Sequence, residues 1–404
     1  IHNINMFRLL NKNIFSIQKR HFQVNRQSGV IRDSLSTFLT KLHNKNNEFH
    51  EKCMELRHTE MENNIFCYRD DTLNIRTGDW STGAIPENLR KRHVELTGPG
   101  NDPKMVINAM NSDADCYMLD IEDSMSPSWE NVKKAHHNIG LAVRGELTHK
   151  TSKKEYKITN PTPTLLVRAR GLHMFEENVI NKNNIPIQAT LFDIGTHLFN
   201  NGKYMNDNNL GPYLYIPKLE SYEDALYVNN IITQSEQLLD LKPNSTKVTV
   251  LIETFPSIFQ THEIIYALKD RIVGLNCGRW DYIYSMMKSL NTKTEFPDRN
   301  TLTMDQPFLE AYVEQIVNTC HQRGIHAMGG MSAFIPTKDT EENKQIMKKI
   351  LKDKELEIER GCDGAWVAHP GLIAPIKDLF AEKLNADNQI DNQIDDFKPT
   401  VENS

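Results

Sequence analysis

The stretch RIVGLNCGRWDY, residues 271–282, begins with the short apolar run Ile272–Val273 and ends in polar and charged side chains. The apolar start predicts a buried β-strand. The residues that follow it include Asn276, Arg279 and Asp281, so polar groups gather at the strand's carboxyl end. The fold must therefore explain why charged residues lie where a buried strand stops.

Short β-type runs like this one recur along the chain. Helical patterns separate several of them, as in residues 222–239 and residues 307–324, where Gly324 is suited to end the helix. Eight strands alternating with helices predict an α/β protein with a (β/α)8 TIM barrel, and a doubly wound sheet is the alternative. The eight runs cover residues 93–98, 116–123, 164–171, 212–218, 247–254, 271–278, 325–331 and 364–371.

Composition sets the class of protein and the domain bounds. Hydrophobic residues make up 39% and charged residues 25% of the 404 residues, which is typical of a soluble globular protein. The net charge of −6 does not favour nucleic-acid binding, and the six cysteines contain no CxxC pair, which predicts reduced intracellular thiols. No apolar run is long enough to predict a membrane span. We expect a helical extension at 33–90, a barrel at 91–385, and a low-complexity tail at 386–404 that lies outside the fold.

The first 32 residues differ from the rest of the chain. They hold six Lys or Arg residues and no acidic residue. From Met6 onward, Leu10 and Ile14 share one helical face, while Arg8 and Lys12 share another. This basic amphipathic pattern predicts a mitochondrial targeting segment, with a disordered basic tail as the alternative.

Charged residues follow six of the predicted strands. In a (β/α)8 barrel the carboxyl ends of the strands meet at one face, so these side chains are expected to share a site. Glu253 and Asp281 are hard oxygen ligands that suit Mg²⁺, and the scarcity of His and of paired thiols at the strand ends argues against zinc. An arginine and the backbone amides near Gly278 would suit a small keto acid.

Several long motifs then identify a family. GLNCGRWDY, LIETFPSIF, RGLHMFEENV, LDIEDSMSPSWENV, TGPGNDPKMVINAMN and AMGGMSAFIP closely resemble malate synthases of the bacterial and plant A-type, in the right order across residues 35–380. The resemblance implies a TIM barrel, with a helical domain beyond it in the family. It also implies Mg²⁺-dependent condensation of acetyl-CoA with glyoxylate and water to malate and CoA, a reaction of the glyoxylate cycle.

The resemblance also implies residue roles. Arg168 would stabilise the enolate formed from acetyl-CoA, and Glu253 and Asp281 would bind Mg²⁺. Glu122 and Asp123 would hold metal-bound water, although either could instead cap a following helix. The remaining implied contacts are the loop around the glyoxylate carboxylate, formed by Gly278, Arg279 and Trp280, and the acetyl-CoA side, lined by Trp366 and Pro370.

Three residues have structural alternatives. Trp280 could equally be a core residue, and Arg170 a structural ion-pair partner. Cys277 is expected to be a packing residue, since cysteine is commonly buried as a small hydrophobe.

The chain departs from the family pattern at its carboxyl end. The family's general-base aspartate lies beyond the barrel in a Glu-Asp-Ala-Ala-like motif, and these 404 residues contain no such motif. We therefore expect the helical domain to be missing. CoA release by this chain alone should then be slower than that of the complete enzyme by at least about 10²-fold. The alternatives are a non-catalytic paralogue that binds ligands or a partner, and a lyase or thioesterase of the citryl-CoA lyase type.

Targeting signals of the family are also different. The chain ends in Glu-Asn-Ser instead of the peroxisomal tripeptide, and Phe15 does not fit the peroxisomal nonapeptide. A mitochondrial location is therefore favoured, with the peroxisome or glyoxysome as the alternative from the family.

Overall fold

The computed structural model describes residues 23–24, 33–159, 163–181, 183–290, 302–332, 336–337, 340–384 and 386–392. The predicted targeting helix from Met6 to about His21 lies outside these residues and stays a prediction. Among the described helices, none combines the length and the apolar character needed to cross a membrane.

Eight parallel strands close into a barrel. Each predicted β-type run supplies one strand, which confirms the TIM barrel and rules out the doubly wound sheet. Each strand pairs with the next in chain order, and β8 closes the ring by pairing with β1. The strands are β1 Val94–Pro99, β2 Cys116–Asp120, β3 Thr164–Arg168, β4 Tyr213–Ile216, β5 Lys247–Ile252, β6 Ile272–Cys277, β7 His326–Met331 and β8 Gly364–Val367.

Helices surround the barrel and precede it. Gly324 adopts φ 78° and ends its helix in the left-handed conformation, as the sequence predicted. The main helices are α1 Asp33–Glu62, α2 Pro103–Met110, α3 Trp129–Val143, α4 Ala189–His197, α5 Tyr222–Leu238, α6 Thr261–Ala267, α7 Arg279–Leu290, α8 Pro307–Arg323, α9 Thr340–Glu359 and α10 Ile373–Lys383.

Shorter elements complete the described part. Short helices or single turns cover Asp70–Thr72, Leu73–Thr77, Glu87–Leu89, Leu198–Gly202, Lys203–Asp207, Pro256–Gln260 and Pro370–Leu372. Small antiparallel sheets outside the barrel use the strands Gln23–Val24, Thr148–Lys150, Glu155–Lys157, Phe175–Ile180 and Pro186–Gln188.

The barrel interior is filled by side chains. A buried cluster that includes Met118, Leu166 and Leu251 is separate from the larger apolar core between strands and helices. Glu95 is fully buried among them and accepts hydrogen bonds from the indole of Trp366 at 2.9 Å and from the hydroxyl of Tyr215. Since alternate residues of a strand face the same side, the next inward positions reach the barrel's carboxyl end, called here the barrel mouth.

The helix α1 supports the barrel mouth from outside. Arg57 on α1 is buried and donates to Asp224 Oδ2 from Nε at 3.0 Å and from Nη2 at 2.7 Å. Its Nη2 also donates to the main-chain oxygen of Lys218 at 2.8 Å. The N-terminal extension is therefore bonded directly to the loop that follows β4.

The carboxyl-terminal repeat differs from expectation, because its first part packs on the barrel. Gln389 donates from its side chain to the carbonyls of Ile358 and Cys362, both at 3.0 Å. His321 contacts the Asn392 carbonyl at 3.0 Å from one ring nitrogen and Asp363 at 3.2 Å from the other. Residues 386–392 thus belong to the fold, because their polar side chains satisfy backbone groups of the barrel.

Candidate functional site

Strand alternation carries charged side chains to the barrel mouth. On β2, Cys116 and Met118 belong to the interior cluster, and Asp120 is the next residue of the same face. On β3, Leu166 belongs to that cluster and Arg168 follows it in the same way. Asp120 and Arg168 are also paired residues of the β2–β3 ladder, so their side chains meet above the apolar interior.

Asp120 and Arg168 form a two-pronged ion pair. Arg168 donates from Nε to Asp120 Oδ1 and from Nη2 to Oδ2, both at 2.7 Å. Asp120 also accepts from the backbone N–H of Glu122 at 2.9 Å and of Ser124 at 2.8 Å. Although burial opposes its ionisation, the charge and hydrogen bonds of Arg168 lower the pKa of Asp120. The guanidinium is therefore held in one orientation, with its remaining nitrogen, Nη1, 3.3 Å from Glu122 Oε2.

Four carboxylates converge on one ammonium group. Lys218 Nζ lies 3.1 Å from Asp123 Oδ2, 3.2 Å from Glu253 Oε1, 3.4 Å from Asp281 Oδ2 and 3.5 Å from Glu122 Oε1. These carboxylates follow three different strands, β2, β5 and β6. Although burial opposes its protonation, the four negative charges raise the pKa of Lys218. We call these four side chains the carboxylate quartet.

Two members of the quartet are strongly desolvated. Glu253 is 1% exposed, and burial raises its pKa to about 7 in spite of the nearby Lys218. Burial likewise raises the pKa of Glu122 well above its usual range. Asp281, by contrast, keeps 44% of its side chain exposed, and Asp123 keeps 51%. The site thus has a buried wall and an open side.

Gly278 brings the start of α7 against Glu253. A Cβ at Gly278 would lie 2.4 Å from Glu253 Cβ, closer than non-bonded atoms can approach. The helix α7 then begins at Arg279, and its first N–H groups have no partner within the helix. An anion at this helix start would be stabilised by those N–H groups and by the helix dipole.

The other predicted site residues lie in different environments. Arg279 is 5% exposed and directs Nη1 to Asp353 Oδ1 at 3.3 Å, and its guanidinium lies 4.8 Å from the centre of the Trp280 ring. Trp280 is half-buried and packs against the core. Trp366 is buried in the barrel interior, 5.7 Å below the Arg168 guanidinium, whereas Pro370 is exposed.

Some of the alternatives are decided by contacts. Arg170 donates to Asp193 and to Glu176, each at 2.9 Å, so it is a structural ion-pair partner. The helix α3 begins at Trp129 after Ser128, so neither Glu122 nor Asp123 caps it. Cys277 is buried, as expected of a packing residue.

Two contributors to the site had been given no role from sequence. Asp120 and Lys218 are among the charged residues that follow the predicted strands, but the sequence pattern alone assigns no role to either of them. The convergence of four acids on Lys218 depends on contacts between residues up to 96 positions apart, which sequence spacing does not reveal.

The barrel mouth offers oxygen ligands for a divalent cation. Within the described residues, no group of three or more His, Cys, Asp or Glu side chains is arranged to hold a metal ion alone. Glu253 and Asp281, however, both contact the Lys218 ammonium, so their oxygens already point at one positive charge. Two carboxylates completed by water and substrate oxygens are a common arrangement for a small divalent cation. The residues therefore fit such an ion.

Comparisons with known proteins show which chains this one is similar to. The family profile described as "Malate synthase, TIM barrel domain" matches residues 164–403, more than half of the chain. The chain is 42% identical to malate synthase of Myxococcus xanthus over 81% of its length, and 42% identical to malate synthase A of Escherichia coli over 78%. Malate synthase of Arabidopsis thaliana is 41% identical over 79% of the chain.

The chain spans about three fifths of each of these three relatives, covering 61%, 60% and 58% of their lengths. The matched residues include the whole of the mouth from β3 to β8, where Arg168, Glu253 and Asp281 lie. The barrel, the carboxylates at its mouth and the shared sequence lead to one conclusion: this chain belongs to the malate synthase family.

Proposed function

We propose that the protein catalyses the Mg²⁺-dependent condensation of acetyl-CoA with glyoxylate and water to malate and CoA. The observation that carries the proposal is that Glu253 and Asp281 converge on one positive charge, the Lys218 ammonium, beside the start of α7. Arg168 lies at the same mouth, with its guanidinium fixed by Asp120. Family membership supports the reaction, and the relatives are named as malate synthases.

Glu253 and Asp281 are the proposed protein ligands of Mg²⁺. When bound, Mg²⁺ would polarise the carbonyl of glyoxylate. The loop of Gly278, Arg279 and Trp280 would hold the glyoxylate carboxylate through the N–H groups of Arg279 and Trp280 at the start of α7, because a helix start favours an anion. The Arg279 side chain is occupied by Asp353, so only its backbone is assigned to the substrate.

Arg168 is the proposed catalytic cation for the enolate oxygen of acetyl-CoA. Its guanidinium is buried with only 6% exposure, so its charge is weakly screened at the reacting end of the site. Asp120 acts through Arg168 by fixing the direction of its nitrogens. Glu122 and Asp123 would hold water on the ion, and Trp366 and Pro370 would lie on the acetyl-CoA side.

The five carboxylates of the mouth are already engaged by cations. Asp120 pairs with Arg168, while the quartet pairs with Lys218. Because each of the five is held by a cation, and Glu253 and Asp281 are also the proposed Mg²⁺ ligands, we assign to none of them the removal of a proton from acetyl-CoA. This observation also favours a second candidate function, a paralogue that binds the ligands without turning them over.

Thiol release from acetyl-CoA, measured with and without glyoxylate and Mg²⁺, tests the function. Glyoxylate-dependent release that disappears in Asp281→Asn but persists in Asp33→Asn, a matched first-turn aspartate of α1, would support the enzyme. Calorimetric binding of Mg²⁺ and glyoxylate with no CoA release would support the ligand-binding paralogue instead. Absence of both binding and release would refute both proposals.

For location, we propose that residues 6–21 direct the protein to mitochondria, on the strength of their basic, acid-free amphipathic pattern. Relatives in Candida tropicalis and Brassica napus are named as glyoxysomal malate synthases, so the glyoxysome is the alternative. A reporter carrying residues 6–32 should enter mitochondria. A reporter that remains cytosolic or enters peroxisomes contradicts the proposal.

A further inference from the structure

Lys218 is anchored at both ends. Its backbone N–H donates to Glu253 Oε1 at 2.8 Å, and its carbonyl accepts from Arg57 Nη2 at 2.8 Å. Its φ is 55°, the left-handed region that residues other than glycine rarely adopt. The backbone is thus held in an uncommon conformation from which the side chain reaches the carboxylate quartet.

The ammonium contacts the same oxygens that are proposed to bind Mg²⁺. Lys218 Nζ is 3.2 Å from Glu253 Oε1 and 3.4 Å from Asp281 Oδ2. A magnesium ion requires such oxygens at about 2.0–2.1 Å. Two cations cannot both be surrounded by these oxygens, and in a largely buried site their mutual repulsion is poorly screened.

The quartet also offers the ammonium a second position. Asp123 is the most exposed member of the quartet, whereas Glu253 is buried. The Oδ2 of Asp123 is the oxygen nearest to Lys218 Nζ, at 3.1 Å. Lys218 itself is 19% exposed, so its flexible stem can turn towards the open side while Asp123 remains its partner.

We propose that Lys218 is a built-in competitor of the divalent cation: its ammonium holds the quartet together until the ion enters, and then withdraws towards Asp123. Lys218 is in this view a positioning residue that sets how much Mg²⁺ is needed to load the site. The inference rests on the magnesium site of the proposed function. It goes beyond that function by assigning a role to a residue that is not a ligand.

The test is Mg²⁺ binding by calorimetry to the full 404-residue chain and to Lys218→Met, which keeps a stem of similar length without the charge. Removing the competitor should tighten Mg²⁺ binding by about tenfold or more, because charges interact strongly in a buried site. Lys288→Met removes an exposed charge from α7 as a control, and it should change the affinity by less than about twofold.

Thermal unfolding supplies a second measurement. In EDTA, Lys218→Met should melt at a lower temperature than the wild type, because the quartet has lost its counter-ion. Saturating Mg²⁺ should close that gap or reverse it. A purely structural lysine would lower the melting temperature in both conditions and would not tighten Mg²⁺ binding.

Equal or weaker Mg²⁺ binding in Lys218→Met overturns the proposal, and so does the absence of binding in both forms. Failure of the proposed function has a different signature. In that case Mg²⁺ binding would tighten as expected in Lys218→Met, while neither protein released CoA from acetyl-CoA and glyoxylate.

Discussion

Gly278→Ala should damage the site through contact alone. The new Cβ would lie 2.4 Å from Glu253 Cβ and 3.3 Å from Glu253 Cα, and carbon atoms normally meet at about 3.5–4.0 Å. The two residues must therefore separate by roughly 1 Å, and a side-chain rotation of Glu253 cannot provide this because Cβ and Cα are the atoms in contact. Gly278 does not have a positive φ, so backbone strain does not contribute to the effect.

The size of the effect follows from this displacement. Inserting a methyl group into a filled position costs about 1–3 kcal/mol of unfolding free energy. Moving a catalytic group by about 1 Å can cost on the order of 10²-fold in rate. We expect Gly278→Ala to lose this much unfolding free energy and this factor in rate. It should also bind Mg²⁺ more weakly, since Glu253 is the displaced residue.

Urea unfolding, Mg²⁺ calorimetry and glyoxylate-dependent CoA release measure the three effects. Gly98→Ala is the matched control, because it adds the same methyl group to a buried glycine of β1, where the nearest atom is 3.8 Å away. Gly98→Ala should remain close to the wild type. Wild-type Mg²⁺ affinity and stability in Gly278→Ala would refute the contact argument.

Three further predictions follow from other contacts. Asp120→Asn should lower CoA release at least about tenfold while Mg²⁺ affinity changes little, because Arg168 loses a charge-assisted partner and Asp120 is not a ligand; an unchanged rate would contradict this. Burial lowers the pKa of His197 to about 3, so its pKa is higher in the unfolded chain and the stability of the fold decreases as pH drops below about 6.5. Between pH 7 and 5, His197→Gln should therefore lose about 2 kcal/mol less unfolding free energy than the wild type in urea titrations. Equal losses in the two proteins would refute this. Gln389→Ala should raise hydrogen exchange of residues 386–392, since it removes two bonds to barrel carbonyls; unchanged protection would show that Gln389 does not hold this segment.

Sequence reasoning succeeded where local periodicity carries the information. Each strand is short, apolar and bounded by polar residues, so the eight strands could be identified one at a time. The barrel then follows from their alternation with helices, and the position of Arg168 or Glu253 follows from being at a strand end. These inferences need only neighbouring residues, and the closed barrel confirms the fold they predicted.

The contacts that sequence could not supply join distant residues or depend on backbone conformation. Arg279 contacts Asp353, 74 residues away. Its side chain therefore packs towards α9 and not towards the anion position at the start of α7. Lys218 reaches the quartet from a left-handed backbone conformation that no strand or helix pattern predicts. Residues 387–392 resemble a disordered tail in composition, yet the side-chain amide of Gln389 donates to the carbonyls of Ile358 and Cys362.

The balance of charge at the mouth supports the proposed site for a divalent cation. Five carboxylates face two cationic side chains, Arg168 and Lys218, so full ionisation would leave three negative charges in excess. Burial already raises the pKa of Glu122 and of Glu253, which shows that the chain itself does not fully compensate these acids. Lys218 brings a single positive charge to four carboxylates, whereas a divalent cation would bring two charges to the same position. In the proposed arrangement the lysine preserves the geometry of the four carboxylates, and the ion would complete the neutralisation of their charge.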